Sequence, residues 1–185
     1  TRDADRLTLE VRVESLSRVT SEEGHSGWIL VFSTLFANAG PEPVVLRVPK
    51  HVGYSMLNEL TVNVFVPSGG VFAPPVMEGQ THRPQADEFI ILQGRKQFEI
   101  SHSFELAPID WNDDGELDSW PSGQYGLEVH YSNRYIGYEL PLASTPSDQL
   151  HGDALEEWRL DNWMVMDVQA WVGTVDSSRA TFELP

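Results

Sequence analysis

The 185-residue chain is 41% hydrophobic, enough for one good core, and nothing in it marks a second domain. Its 28 acidic against 12 basic residues give a formal charge of −16, which disfavours nucleic acid and anionic membranes as partners and suits divalent cations or cationic protein surfaces. The lack of Cys excludes a disulfide framework, a thiolate metal site and a cysteine nucleophile, and no apolar run approaches the ~18–20 residues of a membrane-spanning helix. The polar opening, residues 1–6, lacks an initiator Met and a signal-like apolar stretch, and reads as a mature or trimmed terminus.

Period-two alternation dominates the rest. Leu7, Leu9, Val11 and Val13 alternate with Thr8, Glu10, Arg12 and Glu14, as a half-buried strand does. Residues 28–36 are apolar on both faces, with Trp28, Leu30, Phe32 and Phe36 against Ile29, Val31 and Leu35, which suits a central strand. Asn38-Ala39-Gly40-Pro41 ends it in a turn before β character resumes over 44–48. A further strand spans 60–66 and closes at Pro67-Ser68-Gly69-Gly70. Residues 71–87, with Pro74, Pro75 and Pro84, read as a long loop, and the braced stretch 67–87 is of the kind that recognition modules present from a rigid scaffold. Residues 89–92 and 97–106, joined by Gln93-Gly94-Arg95-Lys96, read as a hairpin. On its second arm Phe98, Ile100, Phe104 and Leu106 share a face, and His102 among them reads as a hydrogen-bonded core histidine. Tyr125, Leu127, Val129 and Tyr131 share the face of a later strand. Residues 153–160 carry helical signals, with Asp153 as N-cap and Glu156 three residues on, and 164–174 and 179–184 are strand-like. About seven to nine short strands with turns between them imply an all-β, antiparallel sandwich.

One motif carries chemistry. Asp110-Trp111-Asn112-Asp113-Asp114-Gly115-Glu116-Leu117-Asp118 reads as a calcium loop, because a hard cation needs several oxygens at short range. Asp110, Asn112, Asp114 and Asp118 take the first, third, fifth and ninth positions, the Glu116 carbonyl takes the seventh, and Gly115 permits the sharp turn. The twelfth position, where a bidentate Glu closes an EF-hand shell, is Pro121, and the flanks are strand-like. The expectation is a structural calcium ion set into a β protein, held in the weak extracellular class of about 10⁻⁴–10⁻³ M, which places the chain outside the cell or in the periplasm.

Two kinds of stretch resemble immunoglobulin-like sandwich domains. Asp118-Ser119-Trp120-Pro121-Ser122-Gly123-Gln124-Tyr125-Gly126-Leu127-Glu128-Val129 is similar to the tyrosine-corner strand, with Leu127 where antibody domains often have a Cys. Phe36-Ala37-Asn38-Ala39-Gly40-Pro41-Glu42-Pro43-Val44 and Trp171-Val172-Gly173-Thr174-Val175-Asp176-Ser177-Ser178 resemble the opening and the ending of bacterial immunoglobulin-like modules. Such modules include adhesion domains, domains accessory to metalloproteases and small proteinase inhibitors, so the resemblance favours binding over catalysis. It implies a non-catalytic module of a secreted, periplasmic or cell-surface protein that meets a protein partner through strand edges or the 67–87 loop. Trp111 and Trp120, in or beside the acidic loop and expected at the surface, supply a carbohydrate-binding alternative, and proteinase inhibition is another. The scattered His residues lack zinc-site spacing and no G-x-S-x-G elbow occurs, so a hydrolytic enzyme, the alternative from another class, would have an unassigned site.

Overall fold

The computed structural model describes residues 6–20, 26–49, 60–73, 84–110, 115–141, 158 and 163–185. The fold is all-β and sandwich-like, with twelve strands among the described residues, every strand pair antiparallel. The helical stretch expected over 153–160 lies outside those residues apart from Trp158.

The first sheet orders β1 (Leu7–Thr20), β2 (Ser26–Asn38) and β7 (Gln97–Leu106) with β2 in the centre, as the two-faced apolar pattern of β2 requires. The alternation of β1 holds to Val13; the register then shifts between Val13 and Ser15, which lets the strand continue to Thr20 with a bend. In the second sheet β8 (Gly123–Asn133) lies between β4 (Leu60–Phe65) and a final strand in two pieces, β11 (Gly173–Asp176) and β12 (Ala180–Leu184). Ser177 makes the join: its amide donates to the Val129 carbonyl, its hydroxyl accepts from the Val129 amide, and its backbone forms a parallel bridge with Leu9 of β1.

The inward faces make one core. Leu9, Leu30 and Phe32 of the first sheet and Val62, Leu127 and Val129 of the second are buried in it, and Phe36 meets Tyr131 edge-on at 5.0 Å across the sheets. At its lower end Tyr125 stacks on Phe182, and its hydroxyl donates to the Pro121 carbonyl at 2.6 Å, tying the strand back to its own corner. Burial pushes this phenol above its usual pKa.

Three sequence expectations are corrected here. Residues 89–92, now β6 (Phe89–Leu92), do not pair with β7; they pair with β3 (Val44–Arg47), while β7 pairs with β2. Adjacency in sequence suggested a hairpin, but the 93–96 turn packs across the 38–43 turn instead. The 71–87 loop opens with a strand, β5 (Val71–Phe72), folded back on β4 through Gly69, and closes with a 3₁₀ turn (Ala86–Glu88). The strand-like run 164–174 is divided between β10 (Trp163–Asp167) and β11, and β10 pairs with β9 (Gly137–Pro141), a strand the alternation pattern does not reveal.

Candidate interaction site

Two long ribbons run through the molecule, and each breaks at a buried Asn. The β2–β7 ladder continues past paired turns as β3–β6, and the β8–β11 ladder continues past paired turns as β9–β10. At the first break the Asn38 amide donates to the Glu42 and Leu92 carbonyls (2.7 and 3.1 Å) while its oxygen accepts from the Gly40 amide at 3.0 Å. At the second, the Asn133 amide donates to the Tyr135 and Trp171 carbonyls (3.0 and 2.6 Å) while its oxygen accepts from the Tyr135 amide at 3.0 Å. Each Asn thus satisfies backbone groups that leave the ladder, a need that burial makes costly to neglect. Each break also brings two backbones together over a glycine: a Cβ on Gly94 would fall 1.8 Å from the Pro41 carbonyl oxygen, and one on Gly137 1.8 Å from that of Met166. Each contains one left-handed non-glycine residue, Arg95 (φ 59°) and Gln169 (φ 53°).

The extensions then meet. Val45 and Ala170 form a parallel bridge, and the Trp171 amide donates to the Val45 carbonyl at 2.8 Å. The Tyr131 hydroxyl donates to the Arg47 carbonyl at 2.7 Å, and the Arg47 guanidinium lies 4.9 Å from the centre of the Tyr135 ring. That guanidinium is buried, as is its partner: two of its nitrogens donate to one Glu88 oxygen at 3.0 and 2.8 Å, and the other Glu88 oxygen accepts from the Gln85 amide. Neither residue drew notice in the sequence, because a charged residue in a short strand or loop carries no sign of burial.

Between the two extensions is a cleft of about 580 Å³ walled by Val44, Val45, Ile136, Val168, Ala170 and Trp171, with Arg6 among its polar groups. This is a size and lining common in ligand sites. Apolar side chains lie exposed at its rim and along the β9–β10 ribbon: Ile136 (49%), Val172 (45%), Met164 (44%) and Val165 (57%). The cleft and this surface went unpredicted, since exposed and buried valines look alike in a sequence.

The acidic loop is partly described. Its ends close on each other, Ile109 and Asp118 exchanging amide-to-carbonyl bonds of 3.1 and 2.9 Å, and the Asp110 carboxylate accepts from the Gly115 amide at 2.8 Å. Gly115 has φ 86°, the left-handed conformation its place in the loop suggested. Glu116 is exposed. Trp111, Asn112, Asp113 and Asp114 lie outside the described residues, and among those described no three His, Asp or Glu side chains gather. Trp120, expected at the surface, lies in the core: its indole donates to the Ala107 carbonyl at 2.7 Å and its ring packs edge-on against Phe72. The indole N–H found a backbone acceptor and freed the rest of the ring for burial.

His102 is buried as its pattern implied, bonded to the Thr34 hydroxyl at 2.8 Å and tilted against Phe32. Burial lowers its pKa from 6.5 to about 4, with the Glu14 carboxylate opposing the shift. His130 sits on the outer face of the second sheet, 2.5 Å from Asp176. Among the described residues no helix is long and apolar enough to cross a membrane.

No protein-family model and no curated protein matches the sequence. Among solved structures, the chain is similar to the X-ray structure of Northeast Structural Genomics Consortium target SoR45, at 8% identity and a TM-score of 0.46, over 99% of this chain and 90% of that one.

Proposed function

We propose that this chain is a non-catalytic interaction module, an immunoglobulin-like sandwich stabilised by calcium at residues 110–118, that acts in a secreted, cell-surface or periplasmic protein and binds a protein partner. The observation that carries the reading is the apolar surface at one end: Ile136 and Val172 are exposed at a cleft, and Met164 and Val165 are exposed along the β9–β10 ribbon that leads from it. Exposed apolar residues gathered in one place are costly to solubility and are characteristic of a binding surface. The immunoglobulin-like assignment is supported by the parallel contact of the first strand with the last and by the Tyr125 hydroxyl bonded to its own corner. The calcium assignment is supported by the spacing of the acids, the closed loop ends and the left-handed Gly115. A cation bound there would stabilise the fold by mass action.

The test is capture. The immobilised chain, in calcium, is exposed to the extracellular and periplasmic proteins of its source beside Ile136→Asp and Val165→Asp variants of unchanged melting temperature. The reading requires a protein retained by the wild type, confirmed with the purified partner, and bound at least tenfold more weakly by the variants; equal binding by all three would refute it.

A further inference from the structure

Two hollows flank a single turn. On one side of residues 39–43 is the larger cleft, with Pro43 and Arg6 in its wall; on the other is a shallower hollow of about 300 Å³ lined by Ala37, Asn38, Ala39, Arg95, Lys96 and Gln97. Gly40 joins them: the Arg6 guanidinium lies where a Cβ on Gly40 would press, 2.7 Å from its Nε, and the Gly40 carbonyl accepts from the Arg95 amide at 3.0 Å.

Three cations thus converge on one turn of a chain in which acids outnumber bases 28 to 12. Elsewhere among the described residues the bases are engaged: Arg12 with Glu10, Arg18 with Ser26, Arg47 with Glu88, Arg134 with the Tyr135 ring and Arg179 with Glu128. Arg6 donates to the Glu42 carbonyl. Arg95 and Lys96 are exposed and, among the described residues, their side chains make no ion pair or hydrogen bond. Arg95 is moreover held in the left-handed region, which a non-glycine residue seldom adopts, by hydrogen bonds from its amide to both the Asn38 and Gly40 carbonyls. The backbone therefore fixes where this pair of cations stands. Glu42 is the acid on the same turn.

We infer that the ligand taken at this corner is an extended acidic–apolar peptide segment of a partner protein, its apolar side chains in the cleft beside Val45 and Ile136 and its carboxylates on Arg95 and Lys96. The inference rests on the interaction-module reading and names the chemistry of its partner. It runs against the expectation from total charge, under which a chain of −16 selects cationic partners. Local complementarity decides because long-range fields are screened within about 8 Å at physiological salt, whereas contact pairs beside an apolar surface are screened less.

The experiment is selection from a random peptide-display library on the folded chain, followed by affinity measurement with the enriched peptides made synthetically. The result expected is enrichment of sequences that place Asp or Glu beside Leu, Ile or Val. The selected peptide should bind about tenfold more weakly to the Arg95→Glu/Lys96→Glu variant, from loss of two exposed pairs of up to about 1 kcal/mol each. It should also weaken with added salt and on Val172→Asp, with melting temperatures unchanged. Enrichment of basic peptides, of apolar peptides without acids, or of none would overturn the inference, as would equal affinity for the charge-reversed variant. If charge reversal leaves the captured protein partner bound while Ile136→Asp and Val165→Asp release it, this inference falls and the module reading stands; if none of the variants affects capture, both fall.

Discussion

The two ribbon breaks use the same parts and end differently. Asn38, Gly94 and Arg95 at the first correspond to Asn133, Gly137 and Gln169 at the second: a buried amide, a close backbone approach and one left-handed residue. Beyond the first break the β3–β6 extension turns Val44, Leu46, Arg47 and Leu92 into the interior. Beyond the second, the β9–β10 extension leaves Leu140, Met164 and Val165 in solvent. The backbone device for redirecting a ribbon is therefore separable from what the redirected piece does. One extension turns most of its side chains into the core, with Ile91 left exposed, and the other leaves apolar side chains that no described residue covers.

The largest effect that would sharpen this contrast lies under the first extension. Glu88→Ala leaves the buried Arg47 charge without its carboxylate and should cost about 3–5 kcal/mol in urea unfolding. A cost below about 1 kcal/mol would mean that water reaches the pair and that the first extension is no better sealed than the second. Leu46, fully buried, and Leu140, 38% exposed, make the matching apolar test: alanine should cost about 2–5 kcal/mol at Leu46 and under about 1 kcal/mol at Leu140.

The two asparagines come next. Asn38→Ala removes three hydrogen bonds beneath a packed extension and should cost about 2–3 kcal/mol. Asn133→Ala removes as many, but fewer of its extension's described side chains are buried, so about 1–2 kcal/mol is expected, with amide exchange quickening chiefly over β9 and β10. Equal costs would contradict the asymmetry.

The smallest effect is a pH dependence in the sandwich. Because His102 titrates near 4 when folded and near 6.5 when unfolded, the unfolded chain takes up its proton first. Its contribution to stability is full above pH 6.5 and is lost as the pH falls from there toward 4. About 1–2 kcal/mol is expected, below the full linkage value because His102 keeps a small exposure on a strand at the edge of its described sheet. His102→Gln, which keeps a partner for Thr34, should flatten that part of the stability profile.

The strands were legible where burial follows period two. Leu7 to Val13, the β2 run and Tyr125 to Tyr131 each show their inward face in the residues alone, and the Tyr125 corner was marked by its Gly-bearing turn. The ribbon breaks were not, because Asn38 reads as a local turn residue while its bonds reach to Leu92, far along the chain. For the same reason 93–96 looked like a hairpin turn. The candidate surface was hidden more completely: Val165 and Val172 have the β-branched character of core strands, and their exposure depends on there being no second layer among the described residues to cover them. Trp120 misled in the opposite sense, its polar neighbours suggesting a surface position that the Ala107 carbonyl made unnecessary.

The proposed function puts the partner on the β9–β10 end rather than on the sandwich faces. Amide hydrogen exchange of the chain, alone and with its captured partner in calcium, tests this directly. Protection on binding is expected to concentrate in β9, β10, residues 168–172 and the 93–96 turn. Protection confined to the outer face of β1, β2 and β7, with the β9–β10 ribbon exchanging as freely as before, would contradict it.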